Sequence, residues 1–358
     1  MNLNGGLYNE KMITLARESR GLSQTELANQ SGISQGKVSK VESGVLTLSE
    51  NELIRIANCL QYPIHFFKRN LRIYGVGLGE YFHRKRQSVS QKQLSKIYAR
   101  IEIQRMQIAV LLKSVDIGHT EFFLMDPDQV DGEVEEVART VRATWKIPRG
   151  PIDNVVEMIE NAGGIIIPFD FDGLKIDAIS MWPSELPPLF FVNMNRPMDR
   201  IRFTLCHEVG HIIMHALPPN GECNIEEQAD KFASELLMPS HEIGYMLKDL
   251  NIGSLSGLKL RWKVSMSSLI MSAKNTGNIN PNRARYLWTQ LSNAGYRTHE
   301  PDNLEPPREK PTMLQQVLQI YFEDLHYTMK DLSFAVGLQE NEFKSIYFRE
   351  QSHLRLVD

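Results

Sequence analysis

Arg202-Phe203-Thr204-Leu205-Cys206-His207-Glu208-Val209-Gly210-His211, followed by Ile225-Glu226-Glu227-Gln228-Ala229-Asp230-Lys231-Phe232-Ala233-Ser234-Glu235-Leu236-Leu237-Met238-Pro239, decides how the central part of this chain is read. The spacing predicts two helices, Arg200 to His215 and Ile225 to Leu237, the second stopped near Pro239. Two histidines four apart on a helix project from one face, where both imidazoles can reach a single ion. Glu208 between them lies beside that ion, placed to take a proton from water. A tetrahedral catalytic zinc takes a third protein ligand and keeps one position open. On the second helix Glu226 falls on the apolar stripe of Ala229, Phe232, Ala233, Leu236 and Leu237, whereas Glu227 turns toward Asp230, Lys231 and Ser234. An inward carboxylate is costly unless it is paired or bound to metal. The expected ligands are therefore His207, His211 and Glu226, with Glu208 as the catalytic base. Glu227 is the alternative third ligand, and Cys223 a soft competitor for that place. Two structural histidines and a Glu226 that merely caps its helix make up the blander alternative. His215 extends the same face about 6 Å farther along the axis; it reads as a packed residue or one behind a ligand, and as a candidate oxyanion stabiliser. Cys206 reads as core.

Working outward, Pro151 to Asn161 reads as a helix, and the apolar runs Gly164 to Pro168 and Pro188 to Val192 as strands. A helical stretch continues to about Ala294, and Glu300 to Pro311 reads as an extended linker before a helical tail from Met313. Toward the N-terminus, Gln91 to Val115 carries apolar residues at intervals of three and four, the pattern of a long amphipathic helix connecting two domains. Residues from about Asn9 to Phe67 read as short helices. Ser23-Gln24-Thr25-Glu26 is a capping box, Gly32 suits a left-handed stop, Ser34 can cap the next helix, and Ser49 to Glu52 starts another. Leu27, Ala28, Ile33, Val38, Val41, Leu53 and Ile56 supply a small helical core. Met329 to Tyr347 faintly echoes that helix-turn-helix rhythm.

A chain of 358 residues exceeds one ordinary core, and its apolar and charged fractions of 42% and 23% are those of a globular protein. Cys59, Cys206 and Cys223 form no pattern, which argues against a disulfide scaffold and for a reducing, cytoplasmic setting, and no apolar run approaches the length that spans a bilayer, so no membrane partner is expected. The net charge of -3 hides local bias: Arg84, Lys85, Arg86, Lys92, Lys96, Arg100 and Arg105 face a single Glu102, and acidic residues crowd Asp126 to Glu136.

Two resemblances follow from these residues. Arg202 to His211, with His215, the block Glu226 to Pro239, Phe191-Val192-Asn193, Trp262 to Ser265 and Gly295 to Pro301, closely resembles the ImmA/IrrE metallopeptidases over about residues 145 to 301. That resemblance implies a small gluzincin-like core, metal ligation by His207, His211 and Glu226, a catalytic Glu208, and a transcriptional repressor as substrate. Cys206 stands where Ala is more usual, and Asp230 where the family often has Asn. Gln24 to Gly44 resembles the helix-turn-helix of the XRE family of Cro- and phage-repressor-like proteins. It implies that Gln35, Gly36, Lys37, Ser39 and Lys40 face DNA, with Ser34 at the helix start and Gln24 fixing the phosphate backbone. Gln35 can pair with adenine, and the lysines can meet guanine or phosphate.

The expected fold is α+β and mostly helical. It comprises a five-helix DNA-binding domain over 1–70, a helical connector over 71–125, a metallopeptidase domain over 126–300, and a linker with a helical tail over 301–358 that echoes the helix-turn-helix. The expected function is a DNA-binding transcriptional regulator whose zinc (alternatively manganese) endopeptidase cleaves a regulator protein or itself, the imidazoles releasing metal as pH falls below about 6.5. Double-stranded operator DNA, a protein substrate and a second copy of the chain are the expected partners. The alternative is a transcription factor or antitoxin-like protein whose metal site senses or stabilises without cleavage.

Overall fold

The computed structural model describes residues 8–69, 89–130, 133–215 and 223–348. They fall into two compact units: Met1–Asp116 with Gln315–Asp358, and Ile117–Leu314. The second unit is thus inserted into the sequence of the first. Arg84, Lys85 and Arg86 of the basic run lie outside the described residues.

The first unit opens with α1 (Glu10–Ser19), α2 (Gln24–Ser31), α3 (Gln35–Glu42), α4 (Glu50–Leu60) and α5 (Ile64–Phe67). Ser23 and Glu26 close the capping box, the Glu26 N–H donating to Ser23 Oγ at 3.1 Å and the Ser23 N–H to Glu26 Oε2 at 2.6 Å. Gly32 ends α2 at φ +64°, a conformation that costs other residues roughly 1–2 kcal/mol. Leu27, Ile33, Val38, Val41, Leu53 and Ile56 are all buried, as their spacing requires. Arg17 of α1 clamps the end of α3 through two bonds to Glu42, Nε to Oε1 at 2.6 Å and Nη2 to Oε2 at 2.9 Å. Next, α6 (Gln91–Leu111) packs on α1 and belongs to the interior of this unit rather than standing between domains. Residues 101–108 are buried on every side, Glu102, Gln104, Arg105 and Gln107 included. The apolar stripe marked only one face because buried polar residues opposite it find partners, Arg105 bonding Glu102 at 2.9 and 3.0 Å and Gln107 Oε1 accepting from the Tyr347 hydroxyl at 2.9 Å.

The second unit contains α7 (Val134–Thr144), α8 (Val155–Asn161), β1 (Ile165–Pro168), β2 (Ala178–Met181), β3 (Leu189–Val192), α9 (Met198–Met214), α10 (Ile225–Leu237), α11 (Ser240–Ile243), α12 (Ile252–Trp262), α13 (Met266–Asn275) and α14 (Pro281–Asn293). The sheet order is β1-β3-β2, with β3 parallel to β1 and antiparallel to β2. Strands β1 and β3 are apolar without alternation because both faces are covered. Phe190 and Val192 join the core beneath α9, and Phe191 meets Phe169 on the opposite face. Edge strand β2 carries Ala178 and Ser180 on the α9 side, since side chains alternate along a strand.

Glu300 to Pro311 contains only a short 3-10 turn, Asp302–Leu304, yet it is no free linker. Its glutamates close the open N-termini of helices. Glu300 accepts the Met266 N–H of α13, Glu305 the Met198 N–H of α9, and Glu309 the Val155 and Val156 N–H groups of α8. Orphan N–H groups and the helix dipole favour a carboxylate there. Glu309 also pairs with the fully buried Arg202, and Glu300 with the fully buried Lys259 at 3.0 Å. Composition reads such a segment as solvated because it cannot show where each carboxylate goes.

The last elements among the described residues are α15 (Met313–Glu323), α16 (Met329–Val336) and α17 (Glu340–Tyr347), of which residues from Gln315 on belong to the first unit. Mostly helical with one small sheet, the protein has the α+β architecture the sequence implies. No helix among the described residues is long and apolar enough to cross a membrane.

Candidate metal centre and nucleic-acid interface

α9 and α10 pack face to face because Gly210 leaves room for Phe232: a Cβ on Gly210 would stand 2.9 Å from the Phe232 ring. That approach brings Glu226 to the histidines. Glu226 Oε2 lies 3.7 Å from His207 Nε2, Glu226 Oε1 lies 3.8 Å from His211 Nε2, and the two Nε2 atoms are 2.9 Å apart. A tetrahedral zinc with bonds of about 2.0–2.1 Å sets its donors about 3.3 Å from one another. The three separations bracket that value, so these side chains fit such an ion.

Hydrogen bonding on the far side of each ring fixes which nitrogen is free to ligate. His207 Nδ1 donates to Asp230 Oδ1 at 2.8 Å, so the Nε2 of the neutral ring carries a lone pair. His215 Nε2 donates to Gln228 Oε1 at 2.9 Å, which makes His215 Nδ1 an acceptor. His211 Nδ1, 3.0 Å from that acceptor, must then donate, and its Nε2 too carries a lone pair. Two lone pairs facing each other at 2.9 Å repel unless a cation stands between them. Burial opposes the imidazolium of His207, but the Asp230 hydrogen bond and the charges of Glu208, Asp230 and Glu226 outweigh it and raise its pKa. The same field favours a metal cation. Burial pushes the pKa of His215 down against the Gln228 bond, keeping that ring neutral.

Glu208 points elsewhere. It is buried, and the Ser180 hydroxyl of β2 donates to its Oε2 at 2.5 Å. Glu227 lies on the exposed side of α10, 3.1 Å from Lys231. Cys223 is exposed, and the metal-competent cluster among the described residues is His207, His211 and Glu226 without it. Cys206 is core, its thiol pushed by burial up to about 12. His215 uses both ring nitrogens behind His211, so it does not face a developing oxyanion as proposed from sequence. Sequence reasoning missed Ser180 and Gln228. The strand Ala178–Met181, between the Asp172-Gly173 turn and Pro183, is only four residues long and interrupted by Ser180, too short an apolar run to stand out, and a glutamine on the flank of an apolar stripe looks like a solvated residue.

In the helix-turn-helix, Gln35, Gly36 and Lys40 of α3 are exposed, and Ser39 is half-buried. Ser34 stands at the helix start in extended conformation, but its hydroxyl makes no capping bond. Gln24 donates to Glu42 at 2.9 Å and accepts from Gln35 at 3.3 Å, so it braces the reading helix from the side. Lys37 is folded back onto Glu52, with bonds of 2.6 and 2.7 Å.

The fold and site thus define a metallopeptidase-type helix pair in a chain that also carries a small helical DNA-binding domain. Residues 160–274 match the peptidase family model described as the IrrE N-terminal-like domain, and residues 13–67 match a helix-turn-helix model. Both agree with the resemblances read from the sequence. Comparison with curated proteins gives no match.

Proposed function

We propose that this protein is a DNA-binding transcriptional regulator whose second unit hydrolyses a peptide bond in another regulator protein or in itself. The observation that carries the reading is the convergence of His207, His211 and Glu226 through acceptor atoms whose tautomers are set from behind. Zinc bound by these three would supply Lewis acidity toward the scissile carbonyl. Glu208 takes the proton of the attacking water and delivers it to the departing amine nitrogen. Ser180 fixes one Glu208 oxygen and so orients the other for that transfer. Strand β2 is the sheet edge beside Glu208, and an extended peptide can pair with such an edge. A site that only stabilised the fold would have no use for a buried carboxylate beside its ligands.

In the first unit, Gln35, Gly36, Ser39 and Lys40 form the base-reading face, with Ser34 and Gln24 at its margin and Lys37 available once it leaves Glu52. Two copies of the chain would read a symmetric operator. The test incubates the full-length protein, with zinc or with manganese, with the product of each neighbouring gene beside a Glu208→Gln variant. Cleavage by the wild type alone is expected. Absence of cleavage of any of these proteins, and of the chain itself, with equal repression by both proteins, would leave only a metal-sensing regulator.

A further inference from the structure

The C-terminal helices repeat the N-terminal ones under one constant shift along the chain. Ser23 and Thr328 both cap an eight-residue helix and both close a capping box, with Glu26 and Asp331 respectively. Gly32 and Gly337 then end those helices in the left-handed region, at φ +64° and +79°. Ser34 and Gln339 start a second eight-residue helix in each copy. The core repeats as well: Leu27, Ile33 and Val38 correspond to Leu332, Leu338 and Phe343, and all six are buried. Met12, Ile13 and Ala16 of α1 find their counterparts in Val317, Leu318 and Tyr321 of α15, again all buried.

The chemistry of the copies differs where DNA would be read. Gln35, Gly36 and Lys37 are replaced by Glu340, Asn341 and Glu342. Two carboxylates at the start of a reading helix repel phosphate. Both are engaged: Glu340 accepts from Lys344 at 2.7 Å, and Glu342 accepts from Arg20 of α1 at 2.6 and 2.8 Å, while that guanidinium also donates to the Leu60 carbonyl at 2.8 Å and lies over the Tyr62 ring. The Phe334 carbonyl accepts from His65 at 2.8 Å, and the Ala335 carbonyl accepts from Arg69. Tyr347, at the position of Glu42, donates its hydroxyl to Gln107 of α6 at 2.9 Å, and Tyr321 donates to the Leu111 carbonyl at 2.9 Å. Both copies therefore pack on α6.

We infer that residues 315–348 are a second helix-turn-helix that docks on the first through Glu342 and Arg20 and does not contact DNA. Its partner is the reading domain of the same chain, which it braces at the ends of α1 and α5. This inference rests on the proposed DNA-reading role only for its second clause.

Two measurements on the full-length chain decide it. Amide hydrogen exchange across residues 328–347 is compared in the wild type, Arg20→Glu, Glu342→Arg and the double reversal. Each single reversal is expected to speed exchange there roughly tenfold, and the double to recover most of the protection. A double variant as labile as the singles overturns the docking contact. Binding to a random duplex is then measured across a salt series for Lys40→Ala and Lys344→Ala. Lys344→Ala is expected to leave affinity and salt slope unchanged. A slope reduced by about one for Lys344→Ala would put the second copy on phosphate and overturn the inference. An unaltered Lys40→Ala would count against the reading helix instead, leaving the exchange cycle to decide the docking.

Discussion

Asp230 and Glu208 lie near the same histidines, and the geometry gives them separable tasks. Asp230 accepts the Nδ1–H of His207 at 2.8 Å, holding the ring so that Nε2 faces His211 and Glu226. Glu208 touches Ser180 on the sheet side, and the proposed mechanism gives it the proton transfer. Asp230→Ala is therefore expected to weaken metal binding 10–100-fold, as measured by competition with a chromogenic chelator, because such outer partners orient the ligand and raise its basicity. Glu208→Gln is expected to keep metal affinity within about threefold while lowering cleavage about 10²–10⁴-fold. A Glu208→Gln protein that lost its metal would show that Glu208 is a ligand and that the division of labour is wrong.

Between elements, the decisive contact is the one Gly210 permits. Gly210→Ala would drive a methyl into the buried Phe232, which cannot swing into solvent, and would prise α10 away from α9. The expected cost is about 1–3 kcal/mol of stability together with loss of metal, since Glu226 moves with α10; calorimetry and metal content check both. In the reading domain the balance lies between α3 and α4. Lys37 and the Ser49 N–H hold the Glu52 carboxyl down to about 2, from an ordinary value near 4.5. A depressed folded-state pKa means that its stabilisation is present above about pH 4.5 and fades as pH falls toward 2. Glu52→Gln is thus expected to lower stability at pH 6 but not at pH 2, and to strengthen DNA binding by freeing Lys37. An equal loss at both pH values would show that the ion pair contributes nothing. This pair also marks what the sequence can carry. The periodicity of α9 and α10 placed Glu226 inward without any coordinates, because a helix fixes the angle between its own residues. Whether Lys37 meets DNA or Glu52 depends on how two helices pack, and the single-residue pattern holds no such term. For the same reason α6 read as one-faced, and the strand bearing Ser180 went unnoticed.

At the scale of the whole molecule, Ile117–Leu314 interrupts a unit whose two parts meet through contacts such as Tyr321 with Leu111. The segment that leaves the inserted unit is pinned by glutamates, above all Glu309 on the buried Arg202. Glu309→Gln leaves that guanidinium without its counter-charge and is expected to cost the inserted unit about 3–5 kcal/mol. The consequence reaches the other unit through the chain itself. Once Ile117–Leu314 melts, the first unit must close a loop of roughly 200 flexible residues, an entropic cost of about 5 kcal/mol. Metal at 100 times its dissociation constant stabilises the inserted unit by about 2.7 kcal/mol and delays that event. Calorimetry of the full chain is therefore expected to show the DNA-binding unit melting later with zinc than with chelator, although the three proposed ligands, His207, His211 and Glu226, all lie in the other unit. Replacing residues 117–314 by a short glycine-serine bridge removes the long loop and with it the metal effect. If zinc still raised the transition of the bridged protein, a second metal site would have to lie in the DNA-binding unit, and the coupling through loop closure would be wrong.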